Sequence, residues 1–231
     1  MSVKVLIVAG AVAVVGFSAV AFAPQTHAAG GTTAIETIVP TDISTTWDLV
    51  VAEFNEGDFA INATIKESST IRILLQSKIP STWVDCGNIS VSSNHATFGH
   101  RNYNFLAANS ARYLVADEKV DELIDVERRT SLNALANIKL TPKRQGTLVS
   151  IDAHYVMKFR TREFGNNITP RSVDKSMDFD SAGQASTTEE IREGSDTKLV
   201  TIDCRPTGEL ERRLVTLLER TVTTETALLR R

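Results

Sequence analysis

The sequence predicts an α+β domain in which an antiparallel sheet is packed on one face by an N-terminal and a C-terminal helix. Three observations support this class: a helical spacing of apolar residues after Trp47, period-two alternation in the middle of the chain, and an amphipathic stretch after Cys204. About 200 residues follow the N-terminal apolar segment, a length typical of one domain with a substantial core. We therefore predict a single α+β domain over residues 44–231.

Residues 1–28 have the composition of a secretory signal peptide. Lys4 precedes apolar and small residues from Val5 to Ala23, and the small residues Thr26 and Ala28 suit cleavage after position 28. The alternative is an uncleaved membrane anchor, because about 18 apolar residues can span a bilayer. No cysteine lies near the cut, so lipid attachment is not indicated. We expect a periplasmic or secreted protein, with membrane association only where the segment is retained.

The domain is predicted to begin after a flexible tether over residues 29–43, which are rich in Gly, Thr, Ala and Pro. A helix is expected next, with Thr45 as its cap. The apolar residues Trp47, Val50, Val51 and Phe54 recur at helical spacing, which places them on one face.

Period-two alternation predicts two hairpins after this helix. The first joins residues 59–65 to residues 71–75 through a turn at 67–69. The second lies within residues 131–159, and its second strand alternates β-branched and aromatic residues with polar ones over an unusual length. We expect Tyr155 and Phe159 to be large core residues of that strand.

Three further segments have weaker patterns. Residues 80–116 suggest short strands or loops, and residues 117–127 suggest a short charged helix with Val120, Leu123 and Ile124 on one face. Residues 185–196 contain Ser, Thr, Gly and several acids with little apolar content, which predicts a mobile surface loop.

The last strand and helix of the predicted domain flank one of only two cysteines. The run Leu199–Asp203 predicts a strand, and a leucine stripe after Gly208 predicts the C-terminal helix. A disulfide between Cys86 and Cys204 is favoured in an exported protein. The alternatives are free thiols or a metal site using His95 and His100, although the spacing does not suit a closed zinc site.

The order of elements resembles a known envelope family. The helix of residues 47–54, the strands that follow it, and the hairpin exit Gly146–Ile151 are similar to the helix-grip domains of bacterial envelope proteins. These include the accessory lipoproteins of the outer-membrane β-barrel assembly machinery. The resemblance implies a periplasmic location and a helix-covered antiparallel sheet, although this chain lacks the lipid-attachment cysteine of those lipoproteins.

Motifs for common chemistries are missing from the sequence, which has no GxSxG, HExxH, P-loop, GxGxxG or CxxC pattern. We predict no catalytic residue, metal site or cofactor. Ser150, Asp152 and His154 share one strand face, as do Asp178 and Asp180, and both sets are interpreted as solvated surface. The net charge of −3 gives no reason to expect nucleic acid binding, and pairs such as Arg128-Arg129 are interpreted as solvated surface.

Two function classes are consistent with these patterns. The first is a noncatalytic envelope protein with a structural or assembly role, which docks to other envelope proteins through sheet edges or loops. The alternative is a small-molecule or lipid binder with a cavity between helices and sheet. Its lining would be Trp47, Phe54, Tyr155 and Phe159, which otherwise form plain core.

Overall fold

β-Strands dominate this chain. The computed structural model describes residues 34–56 and 59–228, and within them it contains twelve β-strands and two α-helices. The strands form three antiparallel sheets of seven, three and two strands. The predicted α+β class is therefore wrong, because the chain is mostly β and the two helices do not cover one sheet as an N-terminal and C-terminal pair. The predicted signal peptide, residues 1–28, lies outside the described residues.

The elements follow one another with short connections. In order they are β1 (Ile35–Val39), α1 (Ile43–Glu56), β2 (Ala60–Ile65), β3 (Thr70–Ser77), β4 (Val84–Asp85), β5 (Asn88–His95), β6 (Gly99–Leu106), β7 (Ala111–Asp117), β8 (Glu122–Lys143), β9 (Gly146–Phe164), β10 (Arg171–Asp180), β11 (Ala185–Glu193), β12 (Asp196–Pro206) and α2 (Glu209–Leu228). Strand β1 falls within the segment that was predicted to be a tether.

A long hairpin of β8 and β9 forms the centre of the largest sheet. The two strands stay in register from the pair Asp125 and Phe164 to the turn at Lys143 and Gly146. Gly146 has φ of 133°, and a Cβ at this position would lie 2.0 Å from the carbonyl oxygen of Val39, so the turn requires glycine. This finding confirms the hairpin that period-two alternation predicted.

Each long strand is paired along its outer edge by two short strands in succession. Strand β9 pairs β1 and then β10, whereas β8 pairs β7 over residues 122–128 and β3 over residues 132–139. A break is left in each edge between the two short partners. In the β9 break, Ser181 accepts a hydrogen bond from the amide of Ala153 and donates its own amide to the Ala153 carbonyl.

The core lies on one face of the central hairpin. Alternate residues of β8 and β9 are buried, among them Leu132, Ile138, Ile151 and Met157. Helices α1 and α2 contact each other, and both contact β9.

Helix α1 begins at Ile43 rather than after the predicted cap Thr45. Its first turn is instead capped by Asp42, and the hydrogen bonds from Thr45 and Ser44 hold the pKa of that carboxyl below its ordinary value.

Two local predictions are wrong because polar segments form strands. Residues 117–127 do not form a helix: β7 ends at Asp117, a tight turn includes Asp121 with φ of 49°, and β8 begins at Glu122. Most of residues 185–196 belong to β11, which is paired along its length with β12 and is not a loop. In both segments the alternating burial has period two, which matches a strand and not a helix.

The predicted disulfide is confirmed. Cys86 and Cys204 are bonded, both are buried, and their Cα atoms are 4.1 Å apart. The bond lies beside the pairing of β4 with β12, where Asp85 is opposite Arg205.

The β-rich architecture does not fit the helix-grip fold that the order of elements suggested. Neither described helix has the length and apolar character needed to cross a membrane.

Candidate binding groove

The break in the outer edge of β8 is the origin of a groove. Strand β3 ends opposite Leu132, and β7 begins opposite Arg128, so residues 129–131 have no strand partner on that side. The amide of Thr130 instead donates to the hydroxyl of Ser110, at 2.9 Å. A surface depression of about 750 Å³ therefore opens where a continuous sheet would have another strand.

Basic side chains dominate the lining of this depression, which we call the basic groove. Five cations and one carboxylate lie along it, together with three serines, a threonine and an aromatic ring; the full set is Lys78, Ser110, Arg129, Thr130, Ser131, Lys158, Phe159, Arg160, Asp174, Lys175 and Ser176. Strand register explains the clustering, because Lys158 lies opposite both Ser131 on β8 and Ser176 on β10. Residues that are opposite in antiparallel strands point to the same face.

The arginines and lysines of the groove differ in their pairing. Arg129 forms an ion pair with Glu127 at 2.7 Å, and Arg160 forms one with Asp174 at 2.6 Å. The Asp174 hydrogen bond and charge raise the pKa of Arg160, which stays protonated. Lys78 and Lys158 form no hydrogen bond or ion pair with any residue in the described part of the chain, whereas Lys175 lies opposite the buried Phe159 and interacts electrostatically with Glu190. The ammonium groups of Lys78 and Lys158 are therefore available to an anion.

A buried ion pair lies beneath the groove. Arg128 has no solvent-exposed side-chain surface, and it donates two hydrogen bonds to Glu189 of β11, at 2.9 and 3.0 Å. A third donor of the guanidinium reaches the carbonyl oxygen of Asn109 at 2.9 Å. The guanidinium carbon also lies 5.0 Å from the centre of the Phe159 ring, a cation–π distance. Arg128 therefore joins the largest sheet to the three-stranded sheet and supports a ring that lines the groove.

A second charged cluster joins the same two sheets further along. Arg192 of β11 contacts Asp117 and Glu163, each at 2.8 Å. Burial acts to raise the pKa of Asp117, but the hydrogen bonds from Ser195 and the Lys119 amide and the charge of Arg192 outweigh it and lower that pKa. The two sheets therefore meet through paired charges as well as apolar contacts.

The four aromatic residues predicted to line a cavity are found in different surroundings. Phe54 and Tyr155 are buried in the core, and Trp47 is half-buried against it. Phe159 is also buried but lines the basic groove at its edge. The groove is lined by strand and loop residues, so it is not the predicted cavity between helices and sheet. A binding role for the other three aromatic residues stays a prediction.

Tyr155 also takes part in a buried polar contact. Its hydroxyl donates to Glu211 of α2 at 2.8 Å, and its ring stacks on Phe179 with centroids 5.6 Å apart. Burial and then the charge of Glu211 raise the pKa of Tyr155. The residue therefore connects the sheet to the C-terminal helix.

Replacement of Tyr155 by alanine is expected to lower the free energy of unfolding by about 3 to 5 kcal/mol, because it removes a fully buried aromatic side chain. Tyr155→Phe keeps the ring and loses only the hydrogen bond to a carboxylate, so we expect a smaller loss of about 1.5 to 3 kcal/mol. Urea unfolding followed by circular dichroism measures both. A change below about 1 kcal/mol for the alanine variant would rule out a core role.

The other polar residues considered in the sequence analysis do not form a common site. His154 is partly exposed and contacts Asp180 at 2.8 Å, while Asp152 accepts a hydrogen bond from Asn137. His95 is buried and accepts a hydrogen bond from the amide of Thr97. The sequence interpretation missed the groove cations, because it treated Lys158 only as a polar position of a strand and ended that strand before Arg160. The signal is that these cations share a sheet face with serines of the neighbouring strands, and it can be recognised only when the strand register is known.

Comparison with known proteins gives no relative. No protein-family model matches the chain, and neither a curated protein nor a solved structure shows significant similarity to it. The disulfide agrees with an oxidising, extracytoplasmic location, where such bonds form and persist.

Proposed function

We propose that this protein is an exported, disulfide-bonded domain that binds a small anionic ligand in the basic groove. The observation that carries the proposal is a groove lined by five cations, of which Lys78 and Lys158 have no carboxylate partner in the described chain, on a protein whose net charge is −3. Arg129 and Arg160 have carboxylate partners, so an anion bound in the groove would interact chiefly with the unpaired lysines. The volume of about 750 Å³ is in the range of small-molecule sites.

The groove offers the donors that an anion needs. Lys78 and Lys158 supply ammonium groups without a competing ion pair in the described chain. Ser131 and Ser176 lie on either side of Lys158 and add hydroxyl donors. Charge-assisted hydrogen bonds to carboxylate or phosphate oxygens are about twice as strong as neutral ones. Ligands that carry several anionic oxygens fit this lining.

An export signal and a periplasmic or secreted location are part of the proposal. The N-terminal composition supports export, and the disulfide supports an oxidising compartment. Docking to another envelope protein, the first class that the sequence suggested, would require an acidic segment of that partner to occupy the groove. The size of the groove favours a small ligand, and the experiment below includes an acidic peptide to separate these two cases.

Charge reversal at Lys158 is expected to weaken anion binding at least tenfold. The probes are pyrophosphate and citrate, titrated by calorimetry into the purified protein at low ionic strength. A tenfold loss corresponds to about 1.4 kcal/mol, close to the lower end of the roughly 1.5 to 3 kcal/mol expected for one charged hydrogen bond. Because the lysine is exposed, Lys158→Glu is expected to keep the stability of the parent protein. Binding should also weaken as salt is added.

Lys139→Glu is the matched control, because Lys139 is an exposed lysine of β8 outside the groove. It changes the net charge equally and should leave the affinity within about twofold of the parent, since its charge is screened at a distance. Equal losses in the two variants would show a nonspecific charge effect and contradict the proposal. Binding of a polyglutamate peptide but of neither small anion would support docking to a protein instead.

A further inference from the structure

The outward face of the β5 and β6 hairpin is a second surface of unusual composition. Every exposed position on β5 is Asn or Ser, and the exposed positions on β6 after Gly99 are two Asn, His100 and Leu106. The alternate residues of β5 face inward and are buried. This face carries no Lys, Arg, Asp or Glu, although charged residues make up 23% of the chain. It is therefore a polar surface that uses neutral groups.

The central four residues of this face form a regular array. Ser90 lies opposite Asn104, and Ser92 lies opposite Asn102. In an antiparallel pair the opposite Cβ atoms are about 5 Å apart, and alternate residues of one strand are about 7 Å apart. Two hydroxyls and two amides are thus held at set spacings by the hairpin.

Three of these four side chains form no hydrogen bond within the described part of the chain. Ser90, Ser92 and Asn104 form no side-chain hydrogen bond with a described residue, whereas Asn102 contacts His100 at 2.8 Å. Each hydroxyl and each amide can donate and accept. The array therefore presents unfilled donors and acceptors side by side, as a hydroxyl-bearing ligand requires.

The array lies in a groove and not on a flat surface. The groove has a volume of about 450 Å³, and the hairpin of β11 and β12 contributes Glu193 and Lys198 to its lining. The Lys198 ammonium lies 4.0 Å from a carboxylate oxygen of Glu193, so this wall adds one positive and one negative charge. The site as a whole has no excess charge, in contrast to the basic groove.

The geometry points to a second binding site, in which this neutral groove holds a polyhydroxylated ligand such as an oligosaccharide. Adjacent sugar hydroxyls need paired donors and acceptors, which the Ser and Asn side chains supply. The balanced charge of Glu193 and Lys198 gives an anion no preference for this site. The inference does not depend on anion binding in the basic groove, which lies at β8, β9 and β10.

Amide NMR titration with neutral trisaccharides tests this site. The probes are maltotriose, cellotriose and N,N′,N″-triacetylchitotriose, added separately to the full-length protein up to tens of millimolar. We expect at least one of them to shift the amides of residues 90–92 and 102–104. The double variant Asn102→Ala/Asn104→Ala should weaken that binding at least tenfold. Asn62→Ala, which removes an exposed amide of β2, should leave it unchanged.

The outcomes separate this site from the basic groove. Absence of shifts with all three trisaccharides overturns the inference, and so do shifts that map elsewhere or persist in the double variant. Because the wild-type shift map is itself a readout, the test does not depend on the folding of the variant. Pyrophosphate binding should be the same in the double variant and in the parent protein, whether or not the sugars bind.

Discussion

Replacement of Arg128 by methionine is expected to lower the free energy of unfolding by about 3 to 5 kcal/mol, as is typical when one partner of a buried ion pair is removed. The side chain is fully buried, and only 5% of the Glu189 side chain is exposed. The variant leaves that carboxylate without its two guanidinium donors, at a site that water reaches poorly. It also removes the cation from the Phe159 ring. Urea unfolding provides the measurement.

Two further variants identify the cause of the loss. Arg128→Met/Glu189→Met removes both charges and should recover much of the stability, because a buried pair replaced by apolar groups is often neutral. Arg129→Met changes the neighbouring arginine, whose side chain is 65% exposed and paired with Glu127, and should cost no more than about 1 kcal/mol. The proposed role of the buried pair is wrong if Arg128→Met and Arg129→Met have equal effects.

The burial of Arg128 could have been deduced from the phase of its strand. Ile124, Val126 and Leu132 are buried at even-numbered positions of β8, and Arg128 has the same phase. A charged residue at a buried position requires a partner. The sequence interpretation missed this because the helical spacing of Val120, Leu123 and Ile124 suggested a helix ending at residue 127. An error in one element therefore concealed a charged side chain with no exposed surface.

The basic groove depends on information that the sequence contains only indirectly. The period-two pattern places Lys158 on the polar face of a strand predicted to end at Phe159, and that much is predictable. The groove itself exists because β3 ends at Ser77 and β7 begins at Ala111, which leaves part of β8 without a partner. Such long-range pairing follows from the packing of the whole sheet, and local periodicity does not specify it.

The loop predicted over residues 185–196 shows a different limit of prediction from sequence composition. Strand β11 is rich in Ser, Thr and Glu, so its composition resembles that of a surface loop. Glu189 and Ile191 nevertheless alternate with exposed residues and are buried. The strand pairs along its length with β12, and the buried carboxylate of Glu189 is satisfied by Arg128, which lies 61 residues away in sequence. Polar strands that are stabilised by distant ion pairs are not visible to composition alone.

Removal of the disulfide by the double variant Cys86→Ala/Cys204→Ala is expected to lower the free energy of unfolding by about 4 to 5 kcal/mol. The bond closes a loop of 118 residues, and in the chain-entropy model the stabilisation grows with the logarithm of loop length. For a domain of this size the loss corresponds to a decrease in melting temperature of roughly 8 to 20 °C. Thermal unfolding of the oxidised parent and of the variant measures the difference.

The cross-link and the packing of the two sulfur atoms can be separated by reduction. Both cysteines are buried, so alanine also removes some packing, whereas unfolding of the parent protein in excess dithiothreitol removes only the bond. If the constraint on the unfolded chain dominates, reduced parent and variant should have similar melting temperatures, both well below that of the oxidised parent. If the reduced and oxidised parent proteins have the same melting temperature, the cross-link contributes little, and the predicted stabilisation by the bond is wrong.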